Sequence, residues 1–221
     1  MSTVIQTKAS DFPRELNLAE LAGLFGPIPF NRIRMEPRPG TATEEDAIYI
    51  NERKLGLCEL VDGVLLEKTV GWYESYLGLE IAGLIREFVK KHNLGITLGE
   101  QAMLKLFPGR IRLPDCCFVS WTRMGTPDTN SATLDLGPDL AVEVISPGNT
   151  FQEMQQKLLD YFKAGTQLVW YVYPTRKQVH VYTNSEDHAV LTADKMLTGS
   201  DTLPGFSLDL SKLFAPVSPN S

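Results

Sequence analysis

Two carboxylates interrupt apolar runs that otherwise have the composition of buried β-strands. Asp115 lies within residues 111–119, and Glu143 lies within residues 138–146. A buried carboxylate is unfavourable unless it is paired, hydrogen-bonded or bound to a cation. Two of them in neighbouring strands would form a pocket for a hard cation such as Mg²⁺, which proteins use to cut or move phosphate esters. The pair therefore predicts metal-assisted chemistry on a phosphate group.

A lysine lies on the helix that we predict directly after the second run. Glu153, Lys157 and Tyr161 recur at four-residue spacing within residues 151–164, so they share one side of that helix. Lys157 can reach back toward the end of the strand that carries Glu143. In a phosphodiester hydrolase, the carboxylates would hold the metal and the lysine would orient the nucleophile or stabilise the phosphate charge. The alternative is a solvated ion pair between Lys157 and Glu153.

Other polar residues are weaker candidates for chemistry. Ser146 lacks a nucleophile elbow and predicts a turn or a cap. The three histidines lack ligand spacing, and the three cysteines contain no CxxC pair, so neither set predicts a metal site. Four cations near Asp115 predict either phosphate contacts or an ordinary solvated rim: Lys105, Arg110, Arg112 and Arg123.

The composition of the chain limits its class. The 221 residues suffice for one large domain, and a hydrophobic content of 43% is ordinary for a soluble protein. A net charge of −6 is not that of a general nucleic-acid binder, so any such contact needs a local basic patch or a bound metal. No apolar run could span a membrane, no signal peptide is evident, and the cysteines are odd in number, so we expect a cytoplasmic protein.

The elements that must position these side chains alternate between helices and strands. A helix over residues 73–91 is predicted from an apolar stripe of Leu77, Ile81, Leu84, Ile85 and Phe88. Further patterns predict strands at 101–107, 110–119 and 140–145, the helix at 151–164, and strands at 167–173 and 178–182. The order helix, three strands, helix, strand predicts an α/β fold with a mixed β-sheet flanked by helices.

The flanking segments set the expected domain organisation. Residues 1–12 look loose, residues 16–24 predict a short helix, and residues 35–46 predict an extended polar connector. An Asp-Gly pair at 62–63 predicts a hairpin. We therefore divide the chain into an N-terminal extension at 1–45, a domain at 46–214 and a frayed tail at 215–221.

A set of short motifs follows a fixed order along residues 37–214. They are Glu-Leu-Val-Asp-Gly at 59–63, Pro-Asp at 114–115, Glu-Val-Ile-Ser-Pro at 143–147, Lys157 with Tyr161 and Gly165, Trp170, and Leu-Pro-Gly-Phe at 203–206. The set resembles the Uma-type restriction-endonuclease family of the PD-(D/E)xK nuclease superfamily. The resemblance implies a restriction endonuclease-like core of αβββαβ order, DNA cleavage with Mg²⁺ or Mn²⁺, and often a homodimer. It also implies that Asp115 and Glu143 are metal ligands and that Lys157 is the catalytic lysine.

Glu74 is a further candidate from the same resemblance. In this superfamily a glutamate of the first core helix often helps to bind metal, and Glu74 lies in the first turn of the helix predicted at 73–91. The alternative is an acid that only stabilises the helix N-terminus, an effect of about 0.3–1 kcal/mol.

The chain also departs from the family pattern. The superfamily's usual lysine would fall at Ile145, Glu153 replaces a common Asp, and Leu168 and Tyr173 stand where acidic residues are common. These departures and the acidic charge favour a second hypothesis, a nuclease fold retained for binding or scaffolding without turnover. A third hypothesis is hydrolysis of RNA or a small phosphoester by the same site. No helix-turn-helix or zinc finger is recognisable, so sequence-specific restriction is only a family-level expectation.

Overall fold

The computed structural model describes residues 14–69 and 71–218. These residues form six α-helices and twelve β-strands. In chain order, the first elements are α1 (Leu18–Phe25), a 3₁₀ turn (Phe30–Arg32), α2 (Glu44–Glu52), β1 (Cys58–Val61), β2 (Val64–Glu67), α3 (Trp72–Lys91), β3 (Gly95–Gly99), β4 (Leu104–Phe107) and β5 (Arg110–Arg112). The rest are β6 (Cys116–Ser120), α4 (Trp121–Met124), β7 (Leu140–Val144), α5 (Phe151–Lys163), β8 (Leu168–Tyr173), a 3₁₀ turn (Pro174–Arg176), β9 (Gln178–Tyr182), β10 (His188–Thr192), β11 (Met196–Gly199), β12 (Leu203–Asp209) and α6 (Leu210–Leu213).

A six-stranded mixed sheet of order β10-β9-β8-β7-β6-β3 forms the centre of the fold. The strand β7 is buried along its whole length and pairs parallel to β8, while its pairing with β6 is antiparallel. A parallel connection needs a crossover, which α5 provides. The helix α3 packs on one face of the sheet and α5 packs on the other. This confirms the predicted α/β fold with a mixed sheet between helices.

The two long helices follow their sequence patterns. The buried stripe of α3 consists of Leu77, Gly78, Ile81, Ile85 and Val89. Leu84 was predicted in that stripe but is 38% exposed, because the sheet covers a narrower arc of the helix than the apolar residues occupy. The helix α5 begins at a capping box formed by Thr150 and Glu153 and ends before Gly165, whose φ of 85° suits glycine.

The prediction of one strand over residues 110–119 was wrong. The segment divides into β5 and β6, which lie in different sheets. Pro114 has no backbone N–H to donate to a strand ladder. Asp115 follows it and donates its N–H to Val142 O at 3.1 Å, next to the pairing of β6 with β7. The break places Asp115 at the end of β6 that adjoins the carboxyl end of β7.

The strand β3 was not predicted, yet it completes the expected order. It pairs antiparallel with β6 and forms one edge of the central sheet. The order α3, β3, β6, β7, α5, β8 therefore gives αβββαβ. The strands β4 and β5 belong instead to a four-stranded antiparallel sheet of order β2-β1-β5-β4. The edge strand β10 and the β11–β12 pair were also not predicted.

The N-terminal part of the described chain contains one predicted and one unpredicted helix. The predicted short helix is α1, capped by Asn17 and Glu20. The helix α2 begins inside the segment predicted as an extended connector, where Thr43 and Asp46 form a second capping box. The Thr-x-x-Asp spacing was the signal for this helix.

Residues 14–45 pack against the rest of the molecule. One hydrophobic cluster joins Leu21, Phe25, Ile28 and Ile33 to Val61, Val64 and Leu66 of the β1–β2 hairpin. The division at residues 45 and 46 stays a prediction. Residues 1–12, which we expected to be loose, and residues 219–221 of the tail lie outside the described residues. None of the helices in the described part of the chain is long and apolar enough to cross a membrane.

Candidate functional site

Asp115 lies where β6 begins, against the carboxyl end of β7. Its Oδ2 accepts a hydrogen bond from Val144 N at 2.6 Å, and its Oδ1 lies 2.7 Å from Lys68 Nζ. The side chain is 20% exposed, so the carboxylate is reachable from solvent. The α3 helix is close by, because a Cβ added at Gly78 would lie 3.6 Å from Asp115 Cβ. Asp115 is thus fixed on one side and open on another.

Glu143 is buried in the central strand β7, one residue before the carboxyl end of that strand. Its Oε2 lies 2.8 Å from Lys157 Nζ, and its Oε1 accepts a hydrogen bond from Tyr161 OH at 2.6 Å. Burial raises the pKa of Glu143 to about 7; the positive charge of Lys157 opposes this rise and the nearby charge of Asp115 adds to it. The predicted reach of Lys157 from α5 to the Glu143 strand is confirmed.

Lys157 is held between two carboxylates. Besides Glu143, its Nζ lies 2.9 Å from Glu59 Oε1. Although burial acts to lower the pKa of Lys157, the two carboxylates outweigh that effect and raise the pKa, so the side chain keeps its proton. The alternative of a solvated pair with Glu153 was wrong, because Lys157 is buried and Glu153 pairs with Arg32 at 2.7 Å.

Glu59 was not predicted as a site residue, although it begins the Glu-Leu-Val-Asp-Gly motif. Its Oε1 also accepts a hydrogen bond from Leu113 N at 3.0 Å, and its Oε2 lies 2.8 Å from Arg112 Nη1. Burial acts to raise the pKa of Glu59, but Lys157 and Arg112 outweigh burial and lower that pKa to about 2. Glu59 is therefore a permanent anion that positions Lys157. A glutamate inside the apolar β1 strand was the signal.

Lys68 was also missed. It follows β2 directly, and its Nζ donates to Leu113 O at 2.7 Å in addition to its contact with Asp115. Each of the two candidate metal-binding carboxylates therefore faces an ammonium group. A lysine directly after the apolar β2 strand was the only signal in the sequence.

The four cations near Asp115 do not form a free basic rim. Arg112 is buried and pairs with Glu59 and, at 2.6 Å, with Asp160. The others pair with acidic residues at 2.6–2.9 Å: Lys105 with Glu44, Arg110 with Asp62 and Arg123 with Asp139. The hypothesis that these cations contact phosphates finds no support in this geometry.

Glu74 shares the inward face of α3 with Gly78, one turn further along the helix. Because Gly78 packs on Asp115, Glu74 lies on the side of α3 that faces the site. Its own carboxylate lies against Gly71 at the helix N-terminus, and no ion pair or hydrogen bond joins it to Asp115 or Glu143. The arrangement suits the helix-stabilising alternative and leaves the metal-binding role of Glu74 a prediction.

The residues that we set aside as chemical groups have structural roles. Ser146 forms a turn in which its N–H donates to Asn149 Oδ1 at 2.9 Å. Cys116 and Cys117 are buried on opposite faces of the central sheet, and both are free thiols. Within the described residues, no group of three or more His, Cys, Asp or Glu side chains could hold a metal ion. Any metal here would rest on the two carboxylates and further oxygen ligands.

Comparison with known proteins places this site within a family. A family model described as "Uma2: Putative restriction endonuclease" matches residues 46–211. The chain belongs to the Uma2 family. The Uma2 match includes Glu59, Lys68, Asp115, Glu143 and Lys157, so the whole charged network lies inside the family region. The predicted family is therefore confirmed, while the roles of the individual residues stay predictions.

The fold of this Uma2 chain is found in a solved structure. It is similar to the crystal structure of "a putative nuclease belonging to DUF820" from Anabaena variabilis ATCC 29413, with a TM-score of 0.64 and 21% sequence identity. The similarity covers 71% of this chain and 89% of the other. At this identity the likeness establishes the fold, which is nuclease-like. No curated protein matches the chain.

Proposed function

We propose that this Uma2 chain is a metal-dependent endonuclease that hydrolyses DNA phosphodiester bonds, with Asp115, Glu143 and Lys157 at its centre. The observation that carries the proposal is the convergence of these three side chains at the carboxyl end of the central strand. The family description supports hydrolysis of nucleic acid. A charged cluster this deeply buried is costly to build and is typical of functional sites.

The side chains fit a hard divalent cation, Mg²⁺ or Mn²⁺. Asp115 and Glu143 offer carboxylate oxygens, the ligands these cations prefer, and one or two protein carboxylates are enough when water completes the shell. Burial leaves Glu143 with a raised pKa, so a cation beside it would offset the cost of its charge. When bound, the ion would lower the pKa of a coordinated water and stabilise negative charge on the phosphate.

The chain's own residues divide the remaining tasks. Lys157 keeps its proton at Nζ and provides a fixed positive charge for the phosphate or the attacking water. Glu59 and Tyr161 hold Lys157 and Glu143 in place, and Lys68 holds Asp115. Glu74, on the inward face of α3, is the residue best placed to add a third carboxylate after a change of rotamer.

The proposal includes two properties of the protein as a whole. We propose a cytoplasmic homodimer, as the family resemblance and the reduced cysteines indicate. Light scattering at several concentrations measures the oligomeric state, and a monomer at all of them would contradict the dimer.

Metal binding and plasmid nicking on matched variants test the proposed reaction. Asp115→Asn and Glu143→Gln keep the side-chain shape but remove the charge, and Glu80→Gln is a control on the exposed side of α3. We expect calorimetry to show Mg²⁺ or Mn²⁺ binding by wild type and Glu80→Gln only, and nicking by the same two proteins. Thermal unfolding must show that the variants remain folded. Nicking by both site variants would contradict the assignment.

A second candidate function is a nuclease fold that binds a partner without turnover. This function is favoured by the contacts of Glu143. Its two carboxylate oxygens already contact Lys157 and Tyr161, so both are occupied without a metal ion. This function predicts no metal binding by the wild type and no nicking. Trials with DNA, RNA and nucleotides also separate DNA hydrolysis from hydrolysis of RNA or a small phosphoester by the same residues.

A further inference from the structure

Three large aromatic side chains stand out in solvent at the first residue of three different elements. Phe30 begins the first 3₁₀ turn, Trp72 begins α3 and Phe151 begins α5. Their exposed fractions are 69%, 75% and 74%, whereas most large apolar side chains of α3 and α5 are buried or half-buried. Phe151 falls on the inward stripe of α5, three residues before Met154 and seven before Leu158, yet its side chain is exposed.

All three residues belong to segments that contact the loop that leaves the Glu143 strand, residues 145–150. Arg32, two residues after Phe30, donates from Nη1 to Gly148 O at 2.7 Å. Thr69, three residues before Trp72, contacts the hydroxyl of Ser146. Phe151 follows the loop directly. We call Phe30, Trp72 and Phe151 the aromatic rim, since the segments that carry them meet at the loop that follows the candidate site.

Apart from Lys157, which is proposed to serve the reacting phosphate, the cations of the site are not available to hold the phosphates of a nucleic acid. The side chains of Arg32, Lys68, Arg112 and Lys157 are each at most 9% exposed, and each is already paired with a carboxylate. The chain as a whole carries a net charge of −6, which opposes non-specific binding to a polyanion. Binding energy at this site must therefore come mainly from contacts that do not depend on charge.

We propose that the aromatic rim binds unpaired nucleobases by stacking, so that the site takes single-stranded or locally opened DNA. Stacking on an aromatic ring is sequence-tolerant because every base has a π-face, and it is available only to bases released from a duplex. The choice of DNA rests on the function proposed above. The stacking itself is a property of Phe30, Trp72 and Phe151 and can be measured without any cleavage.

Fluorescence anisotropy in EDTA tests the rim with three labelled probes of equal length. They are an oligothymidylate, a strand of abasic sites and a fully paired duplex. We expect the wild type to bind the oligothymidylate more tightly than the other two. Trp72→Ala and Phe151→Ala should each weaken that binding by at least about fivefold. Trp121→Ala is the matched control, because Trp121 is 48% exposed and bonds to Asn93, just beyond the opposite end of α3.

Several outcomes would overturn the proposal. Equal binding of the abasic strand and the oligothymidylate would show that bases are not recognised. Unchanged binding by the two rim variants, with unfolding temperatures equal to wild type, would show that the rim is not used. Conversion of a wild-type dimer into a monomer by the same substitutions would show that the rim is an interface between two copies. Binding of bases by the aromatic rim without any nicking in Mg²⁺ or Mn²⁺ would contradict the proposed nuclease reaction but would support the proposed binding of bases.

Discussion

Glu59 shows how much of the candidate site depends on residues that need not touch a substrate. It lies in the four-stranded sheet, yet it contacts Lys157 of α5 and Arg112 of β5 at once. A lysine between two carboxylates can neither lose its proton readily nor change its position. The geometry of Lys157 is therefore determined in part by β1, a strand that carries no proposed metal ligand.

We expect Glu59→Gln to lower the free energy of unfolding by about 1.5–3 kcal/mol, because Lys157 and Arg112 each lose one of their two buried carboxylate partners. Urea denaturation at neutral pH measures the change. Glu52→Gln, on the exposed side of α2, is the control and should unfold like the wild type. A loss below 1 kcal/mol in Glu59→Gln would mean that the network rearranges around the missing charge.

Part of the site could be predicted from residues and part could not. Asp115 and Glu143 were identifiable because a carboxylate inside an apolar strand needs a partner. Glu59 obeys the same rule but was used only as part of a motif. Lys68 could not be found, because nothing in a single sequence shows that the end of β2 lies beside Asp115.

At the scale of elements, the β9–β10 pair forms a cluster of rings on one face of the central sheet. The rings of His180 and His188 lie 4.6 Å apart, and Tyr173 lies 4.4 Å from His180. Burial, the neighbouring His188 and Arg176 together lower the pKa of His180 to about 4. His180 therefore resists protonation in the folded state.

This shift makes stability depend on pH. The pKa of His180 is lower in the folded chain than its ordinary value of 6.5, so its contribution to stability is present above pH 6.5 and is lost as the pH falls toward 4. We expect His180→Gln to flatten the decline in unfolding free energy across that interval. Urea unfolding at a series of pH values measures it, and His92→Gln, at the end of α3, is the control. An unchanged slope in His180→Gln would contradict the shift.

Two hairpin glycines allow the cost of backbone strain to be measured apart from the cost of a steric clash. Gly63 and Gly109 both have φ of 73°, but an added Cβ would strike the backbone of Gly40 at the first position and would meet nothing within 4 Å at the second. We expect Gly109→Ala to cost about 1 kcal/mol, from the left-handed backbone alone. Gly63→Ala should cost clearly more, as measured by urea denaturation. Equal costs would show that the segment around Gly40 moves aside freely.

Element types were predictable and element boundaries were less so. The α3 and α5 helices and the β7 strand followed from long apolar patterns. The division of β5 from β6 could not be predicted. An apolar segment has the same sequence pattern whether all of it belongs to one sheet or its two halves belong to different sheets. The αβββαβ order was right even though β3, which has a glycine at each end, was missed.

At the scale of the whole molecule, Arg32 joins the segment before residue 46 to the elements around the site. Arg32 donates to Glu67 O and Gly148 O and pairs with Glu153 of α5. The segment also covers Val61 and Val64 of the β1–β2 hairpin. The family region begins at residue 46. Residues that precede this region in the chain therefore help to stabilise it.

Removal of residues 1–45 should therefore lower stability sharply, because Glu153 would lose its buried partner and the hairpin would be exposed. Limited proteolysis and urea denaturation measure the effect. A chain that lacks only residues 1–13 is the control, because it keeps Arg32 and the apolar residues that cover the hairpin. If both shortened chains were equally stable, the N-terminal extension would be an independent appendage, as the predicted division at residues 45 and 46 implies.

The contact between the four-stranded sheet and α5 has a buried ionic part beside its apolar part. Glu59 and Arg112 come from the sheet, and Lys157 and Asp160 come from the helix. An apolar contact tolerates gradual drift, since one aliphatic side chain can replace another with a small change in volume. A buried chain of alternating charges does not, because each single change removes a partner from at least one buried ion. We expect these four positions to vary among relatives only as a group, so that the evolutionary history of the site is one of concerted steps.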